Sequence, residues 1–484
     1  MEFELAYLRP SVVQLLRAMA LIVLSPNLRR EPVFLEAGLT DPLLFRDALL
    51  TLHDVVVSDF DYRLTRAQLL RLLDPLITRL LDPLITVASD GVFFEAFSQD
   101  ESCYARVTLH PELLTDLEAF QSGTTNVDFS PALVEALESI RPRTDTRLKV
   151  EKEGFSVAAD DKQVKVKKVK VPDSWLRGFL NVQAAMTLPL KVLEMSRTDL
   201  RNLLAFLQSH KERQGPRALV LRLRPNKPAE AVFEPWNLTV TLTQSVYHGD
   251  EEREIRLWGR RRLFLLRRLL PKIQKVFVGL IDSGYPSFWL CDLGFASFTL
   301  GISGWTVRPF ASSALHLLKP RKQVSPELLT QVAELLRYRQ KVTTQEICQQ
   351  LSLDKGTALT ALGFLCERGK AMFDLEANAY RWREVTEMPI EELRVDADPQ
   401  REVDALRLVQ QGRVKITDER LSGGHRLIAG TVRGDTGTYA VTLTLDAEGG
   451  IVDGECECTW FRFNHLRGGP CKHLLALRLV AQGE

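Results

Sequence analysis

The chain has 484 residues, of which 45% are hydrophobic and 26% charged, and a globular chain of this length is predicted to form three or four domains, each able to bury a core. Its seven cysteines are odd in number and unevenly spread, which excludes a disulfide framework and favours a reducing compartment. The formal net charge is only +1, but the charges are unevenly distributed along the chain. Residues 1–140 carry about 10 basic and 21 acidic side chains, and residues 386–484 carry about 12 basic and 16 acidic ones. Residues 141–385 between them are basic, with about 41 basic and 25 acidic side chains.

Residues 1–140 are rich in leucine at helical spacing, and we predict an acidic, all-helical region. The run SVVQLLRAMALIVL (11–24) is interrupted by Arg17 and is too short to span a bilayer, so we interpret it as a buried amphipathic helix. No signal peptide is recognisable, and we predict a cytoplasmic protein without membrane contact. The octamer RLLDPLIT occurs in tandem at 71–78 and 79–86, which we interpret as a local duplication because its period is too short for a helical solenoid.

Residues 141–320 are predicted to be a basic region of mixed α/β structure. Valine and lysine alternate in QVKVKKVKV (163–171), which predicts a strand with an apolar face and a lysine face. The lysines are Lys165, Lys167, Lys168 and Lys170. They could follow a phosphate backbone, but lysine on an edge strand also prevents unwanted pairing, and we favour the second explanation.

A second basic element, WGRRRLFLLRRLLPK (258–272), is predicted to be an α-helix. At 100° per residue, leucines share one face and four arginines the other. The arginines are Arg260, Arg261, Arg267 and Arg268. This face is either solvated or binds an anionic partner, which would be a nucleic acid or an acidic protein surface. Residues 275–310 contain turn signals among valine and aromatic residues, which predicts short strands.

Residues 321–385 are predicted to form a winged helix, because three helices are followed by a hairpin, AMFDLEANAYRW. Ser325, Thr343 and Asp354 are the expected helix caps, with Glu346 completing a capping box.

The third of these helices is predicted to turn one stripe of residues outward. The stripe contains Gly356, Thr360, Gly363 and Glu367, which offer no side chain suited to reading base edges, and Glu367 would repel phosphate. Protein docking is therefore favoured over sequence-specific DNA binding. The acidic residues 386–404 are predicted to be a linker, followed by a last domain at 405–484.

The C-terminal stretch CECTWFRFNHLRGGPCKHLLAL (456–477) has the donors of a zinc site. Residues two apart on a strand face the same way, so Cys456 and Cys458 can bind one ion. Cys471 and His473 would diverge within a helix and are expected at its entry, after Gly468, Gly469 and Pro470. His465, in the intervening loop, is the nearby rival ligand. Upstream alternation predicts a small sheet before the helix.

The pattern C-x-C, twelve residues, C-x-H, on a sheet followed by a helix opening CKHLLAL, resembles the SWIM zinc finger. The resemblance implies that Cys456, Cys458, Cys471 and His473 hold one structural zinc ion. More loosely, residues 233–263 and 284–310 look like stretches of bacterial SWIM proteins, which tend to be encoded beside a MoxR-type AAA ATPase and a von Willebrand factor A protein. SWIM fingers are associated with DNA binding and with protein contact. Here residues 425–484 hold about 6 basic and 7 acidic side chains, a balance that would not attract phosphate.

The sequence therefore predicts a multidomain α+β protein with a helical N-terminal region, a mixed α/β middle, a winged helix and a C-terminal finger. We expect a non-enzymatic adaptor with no catalytic residues, since no phosphate loop, nucleophile elbow or HExxH motif is present and the zinc shell is full. The alternative is a non-specific nucleic-acid-binding protein that uses the basic middle region and the finger.

Overall fold

The structure is a computed structural model. It describes residues 3–7, 11–16, 19–24, 33–60, 83–127, 129, 131–142, 145–150, 165–169, 173–211, 217–304, 310–385 and 399–483. The chain divides into two compact units, and neither is one continuous segment. Unit 1 comprises Met1–Trp175, Pro189–Pro309 and Arg383–Glu387, and unit 2 comprises Leu176–Leu188, Phe310–Trp382 and Met388–Glu484.

The described strands of unit 1 are β1 (Phe3–Tyr7), β2 (Val12–Leu16), β3 (Met19–Leu24), β4 (Phe34–Leu39), β5 (Leu84–Ala88), β6 (Gly91–Phe97), β7 (Cys103–Leu109), β8 (Leu114–Gln121), β9 (Gly123–Asn126), β10 (Asp145–Val150), β11 (Lys165–Val169), β12 (Lys191–Ser196), β13 (Leu219–Leu223), β14 (Lys227–Phe233), β15 (Leu238–Tyr247), β16 (Arg253–Leu257), β17 (Lys275–Leu280), β18 (Ser287–Asp292) and β19 (Ala296–Ile302). Those of unit 2 are β20 (Lys341–Val342), β21 (Ala371–Asp374), β22 (Ala379–Trp382), β23 (Val414–Ser422), β24 (His425–Arg433), β25 (Thr438–Leu445) and β26 (Ile451–Cys456).

The described α-helices are α1 (Pro42–Val56), α2 (Pro131–Glu138), α3 (Asp173–Met186), α4 (Arg197–Ser209), α5 (Pro326–Arg339), α6 (Thr344–Leu351), α7 (Lys355–Glu367), α8 (Pro399–Gln410), α9 (Thr459–Asn464) and α10 (Lys472–Gln482). Short 3-10 helices cover Pro111–Leu113, Arg260–Leu269, Phe310–Ser312, Leu315–Leu318 and Leu466–Gly468. None of the helices among the described residues is long and apolar enough to cross a membrane.

Unit 1 is built on a twelve-stranded sheet in the order β16-β13-β14-β15-β12-β17-β18-β19-β7-β6-β5-β9. A five-stranded sheet, β2-β3-β10-β4-β8, and the antiparallel pair β1-β11 complete the sheets described in this unit. Strands β17, β18 and β19 form an antiparallel meander, in agreement with the short strands predicted for 275–310. Every residue of β6, β7 and β19 is buried, so the sheet centre lies inside the unit.

The all-helical prediction for residues 1–140 is wrong. The described part of this region contains nine strands and two α-helices. The run at 11–24, predicted to be a helix, contains β2 and β3, which pair antiparallel. Strands buried on both faces are continuous apolar runs in sequence, and periodicity does not separate such runs from buried helices. Most of the tandem octamers, residues 71–82, lie outside the described residues, and residues 84–86 belong to β5.

The predicted arginine-rich α-helix is a 3-10 helix, Arg260–Leu269. A 3-10 helix advances 120° per residue, so residues three apart share a face. Arg260 therefore aligns with Leu263, Leu266 and Leu269, and all four are buried. The four arginines do not share one exposed face, which corrects the prediction made from an α-helical wheel.

Unit 2 contains an ordered series of elements at 326–382. The helices α5, α6 and α7 follow one another, with β20 between the first two, and β20, β22 and β21 form a three-stranded sheet. The predicted caps are present: Ser325 accepts a hydrogen bond from Leu328 N–H, Asp354 accepts one from Thr357 N–H, and Thr343 and Glu346 form a capping box.

The C-terminal part of unit 2 is the antiparallel sheet β23-β24-β25-β26, followed by α9 and α10. Three of these strands match the sequence prediction, and β23 is an additional edge strand. The predicted linker at 386–404 needs correction at its end, because residues 399–404 belong to α8, whereas residues 386–398 lie outside the described residues. Most of the region 321–385, up to Trp382, falls in the same compact unit as the finger, although the two were predicted as separate domains.

Candidate metal centre

Four donor side chains reach one point from three elements of the C-terminal sheet and helices. Cys456 is the last residue of β26, and Cys458 is the N-cap of α9. Cys471 is the N-cap of α10, and His473 lies in the first turn of that helix. Both N-caps have extended backbone, with φ −67° and ψ 150° at Cys458 and φ −76° and ψ 165° at Cys471.

The geometry of this cluster fits a tetrahedral zinc shell. The four ligand atoms all lie within 4.8 Å of one another, and all four residues are buried. The imidazole uses Nδ1, which lies 3.6 Å from the Cys456 sulfur. In the described part of the chain, no other group of three or more histidine, cysteine or acidic residues has this arrangement. Three thiolates and one imidazole are the donor set of a closed structural zinc site, and the four residues form one such site.

The electrostatics of the cluster favour thiolate at Cys458. Hydrogen bonds from the Cys456 and Cys471 thiols, in that order of effect, lower the pKa of Cys458 well below its usual value. The same contact with Cys458 raises the pKa of Cys456 to about 12. The Phe461 N–H also points at the Cys458 sulfur, at 3.4 Å, and α10 begins directly after Cys471. The N-termini of helices stabilise anions, and a bound zinc ion supplies the charge that three adjacent thiolates require.

The imidazole of His473 is held by its surroundings in one orientation. Its ring contacts the Tyr439 ring, with centroids 4.6 Å apart. The second ring nitrogen, Nε2, is buried beside Gly434, where a Cβ would lie only 2.8 Å from it. Gly434 is thus required for close approach of the β24-β25 turn to the ligand, and Nδ1 is the nitrogen left to face the metal.

The loop that ends at Cys471 is fixed by an arginine from outside the metal shell. Arg401, on α8, donates from Nη1 to the Gly468 carbonyl at 3.2 Å and to the Pro470 carbonyl at 3.1 Å. Its guanidinium lies 4.3 Å from the centroid of the Trp460 ring. One side chain therefore connects the segment before Cys471 to the helix that follows Cys458.

Two further contacts tie the metal loop to residues 310–319. Gly469 has φ +86°, and a Cβ there would collide with the Ala314 carbonyl. The buried Arg478 of α10 donates to the Leu317 carbonyl at 2.8 Å and the Lys319 carbonyl at 3.2 Å. The finger is therefore packed into unit 2 rather than attached to it by a chain alone.

The sequence prediction of the ligand set agrees with the cluster, with one correction of detail. Cys458 does not lie on the strand with Cys456 but caps α9, so the pair is brought together by a strand end and a helix start. The rival His465 is exposed, stacks edge-on against Phe461 and is not a member of the cluster.

Sequence reasoning missed the supporting arginines. Arg478 interrupts the apolar run LLALRLVA, and this interruption was the sequence feature that could have indicated a buried, functional arginine. Arg401 lies in the segment interpreted as a linker and gave no signal.

The predicted basic surfaces stay a prediction, and the structure places only some of their residues. Arg260 is 2% exposed, donates to the Ala218 carbonyl at 2.7 Å and lies over the Trp236 ring. Arg268 pairs with Asp54 at 3.1 Å, and Arg267 is exposed. Strand β11 exists as predicted and pairs with β1, but Lys170 lies outside the described residues.

Most of the stripe on α7 that was expected to face outward is covered by the protein itself, whereas a Cβ on Gly363 would meet open space. The Thr360 hydroxyl donates to the Gly356 carbonyl of its own helix at 2.8 Å, lies 3.2 Å from the Pro320 carbonyl and accepts from the Lys322 N–H at 3.3 Å. Glu367 pairs with Arg321 at 2.7 Å. Residues 320–322 therefore cover the part of the stripe that contains Thr360 and Glu367.

Comparison with known proteins supports the metal site and little else. Residues 439–480 match the SWIM zinc finger family model. No curated protein matches the chain. A solved structure of Proliferating Cellular Nuclear Antigen from Entamoeba histolytica aligns with 56% of this chain and 98% of its own length, with 9% identity and a TM-score of 0.37, a similarity too low to support a shared fold.

Proposed function

We propose that the protein is a zinc-binding, non-enzymatic adaptor that docks partner proteins in a larger assembly. The zinc ion is structural, because four protein ligands complete a tetrahedral shell and leave no position for an activated water molecule. Its role is to hold β26, α9 and α10 together, since ligands of a structural zinc site are organised only when the ion and the fold are both present.

The observation that carries this proposal is the covered face of α7. We infer that 326–382 is a winged helix, given its helices and its three-stranded sheet. A winged helix that reads DNA needs the outer face of its third helix, and here Arg321 and Lys322 contact Glu367 and Thr360 on the stripe that was expected to face outward. A winged helix without this face is suited to protein docking, although fold alone does not decide the function.

The competing function is non-specific nucleic-acid binding by the basic middle region. It is tested by titrating the zinc-loaded full chain into labelled single-stranded and duplex DNA and RNA at about 150 mM salt. We expect dissociation constants well above the micromolar range. A suitable variant is Arg267→Glu with Arg268→Glu, because Arg260 is buried and its replacement would disturb folding. Submicromolar binding that is lost in this variant would overturn the adaptor proposal and favour the competing one.

The positive test is co-purification of the tagged full chain from its own host, after nuclease treatment and at raised salt. The resemblance noted above makes a MoxR-type ATPase and a von Willebrand factor A protein the first candidates. A defined partner should bind the zinc-loaded chain and be lost with Cys471→Ser, which removes one ligand. Recovery of no protein partner under these conditions would contradict the proposal.

A further inference from the structure

The helix α9 turns one face of the finger toward solvent. Phe463 is 71% exposed on it, and Thr459 and Arg462 are exposed as well. Because residues three and four apart lie on the same side of an α-helix, these three side chains form one surface. The other side of α9 is buried through Phe461 and Asn464. We name the surface formed by Thr459, Arg462 and Phe463 the α9 face.

The α9 face is held in place by contacts along its helix. The helix begins at the zinc ligand Cys458. At the other end, Arg467 donates from Nη2 to the Phe463 carbonyl at 3.1 Å. Between them, Asn464 donates from Nδ2 to the Trp460 carbonyl at 2.7 Å. A partner therefore meets a preorganised surface, which reduces the entropy lost on binding.

The charge on the α9 face is positive and unpaired. Residues 459–470 contain two arginines and no acidic residue, and no carboxylate of the described chain pairs with Arg462. Other arginines of unit 2 do pair with carboxylates, namely Arg407, Arg413 and Arg426. Aromatic residues and arginine are enriched in protein interfaces relative to the rest of the surface. An exposed phenylalanine beside an unpaired guanidinium is therefore suited to binding a partner.

The charges that precede α9 identify the kind of partner. Glu455 and Glu457 are exposed, and Glu457 is two residues before Thr459, a separation of at most about 7 Å along the chain. A nucleic acid would cover this surface with a continuous row of phosphates, and the glutamates would repel those beside them. A peptide can present a carboxylate to Arg462 without placing a negative charge beside the glutamates.

We propose that the α9 face binds a peptide segment of a partner protein, which places an apolar side chain against Phe463 and a carboxylate against Arg462. This inference rests on the proposed docking function and assigns that function to one surface and one class of segment. It also connects the zinc ion to docking, since the ion fixes Cys458, where the helix that carries Phe463 begins.

The test is selection of a random peptide library, displayed on phage, against the immobilised zinc-loaded full chain. The selected peptides should combine an acidic with an apolar residue, and fluorescence anisotropy of the labelled peptide measures its affinity. Phe463→Ala should weaken binding roughly 30-fold, because it removes the aromatic anchor. Since Phe463 is exposed, the variant should keep one equivalent of zinc, which metal analysis checks. The matched control is Leu421→Ala, which removes a side chain that is 79% exposed on β23 and should leave the affinity unchanged.

Charge reversal tests the contact between the peptide carboxylate and the guanidinium. With Arg462→Glu as the target, the selected peptides should carry a basic residue in place of the acidic one. A single-stranded DNA oligonucleotide should not displace the wild-type peptide at about 150 mM salt. Displacement by submicromolar oligonucleotide would assign the α9 face to nucleic acid and refute the inference.

Three further results would overturn the inference: no enriched peptide, peptides that bind Phe463→Ala as tightly as the wild type, or acidic peptides selected by Arg462→Glu. These failures are distinct from failure of the proposed docking function. A partner that co-purifies equally with the wild type and with Phe463→Ala would keep the docking function and refute only the role of the α9 face. Absence of any co-purified partner would contradict the docking function itself.

Discussion

Replacing Arg401 by methionine should weaken zinc binding although Arg401 does not touch the ion. The side chain makes two hydrogen bonds to carbonyls of the loop before Cys471 and covers the Trp460 ring. Hydrogen bonds from a charged donor contribute about 1.5–3 kcal/mol, and a cation–π contact at a partly exposed site about 0.5–1 kcal/mol. Because Arg401 is half-buried, we expect a total loss of about 2–3 kcal/mol.

This loss should be measurable as zinc affinity. Folding of the loop and binding of the ion are coupled, and 1.4 kcal/mol corresponds to a factor of ten, so affinity should fall by roughly 30- to 100-fold. Competition against a chromophoric zinc chelator measures the affinity, and thermal unfolding with and without excess chelator measures the stability. Arg401→Lys should fall between the variant and the wild type, since lysine keeps the charge but not the planar fork.

The matched control is Arg407→Met on the same helix. Arg407 pairs with Asp404 at 2.8 Å, but its side chain is 53% exposed, and such surface pairs contribute little. We expect its zinc affinity to equal that of the wild type. If Arg401→Met behaved like Arg407→Met in both assays, the assignment of Arg401 as the residue that positions the metal loop would be refuted.

Three further predictions concern single side chains. His473→Ala should lose the zinc that metal analysis finds in the wild type, whereas His465→Ala should keep one equivalent per chain; the reverse result would move the ligand to the loop. Arg383→Met should cost about 3 kcal/mol in chemical denaturation, because it removes the cation 2.9 Å from the buried Glu95 and leaves only Arg106 opposite it on β7. Burial lowers the pKa of His316 well below its usual value, so below about pH 6.5 the unfolded chain gains a proton that the folded chain does not, and stability falls as pH falls. Denaturation between about pH 5.5 and 7.5 should show a smaller decline in His316→Leu, and equal slopes would contradict this account.

The zinc ligands could be predicted from the sequence because their chemistry depends on local spacing. Cysteines two apart and a cysteine two before a histidine can each meet one ion, and glycine and proline fix where the following helix begins. The helix caps at Ser325, Thr343 and Asp354 are equally local. The support from Arg401 and Arg478 was not predictable, because each reaches carbonyls more than sixty residues away in sequence.

The strands of the N-terminal region could not be predicted, because they depend on contacts between residues that are far apart in the sequence. Its strands obtain their partners from distant segments: β3 pairs in parallel with β10, and β7 pairs with β19. Alternation marks a strand only when one of its faces is exposed, and β6 and β7 have no exposed residue. The leucines at helical spacing therefore led to the prediction of helices, although burial within the sheet makes these segments strands.

The uneven distribution of charge along the chain is explained in part by ion pairs within the fold. Residues 189–309 of the basic middle and the acidic N-terminal region both belong to unit 1, where Lys272 pairs with Asp41 at 2.9 Å and Arg268 pairs with Asp54 at 3.1 Å. A block of one sign in sequence therefore does not by itself indicate an external partner of the other sign, since side chains of the two blocks pair with one another in the fold. The charge available for docking has to be sought where the structure exposes it beside an apolar side chain, and Phe463 is such a position.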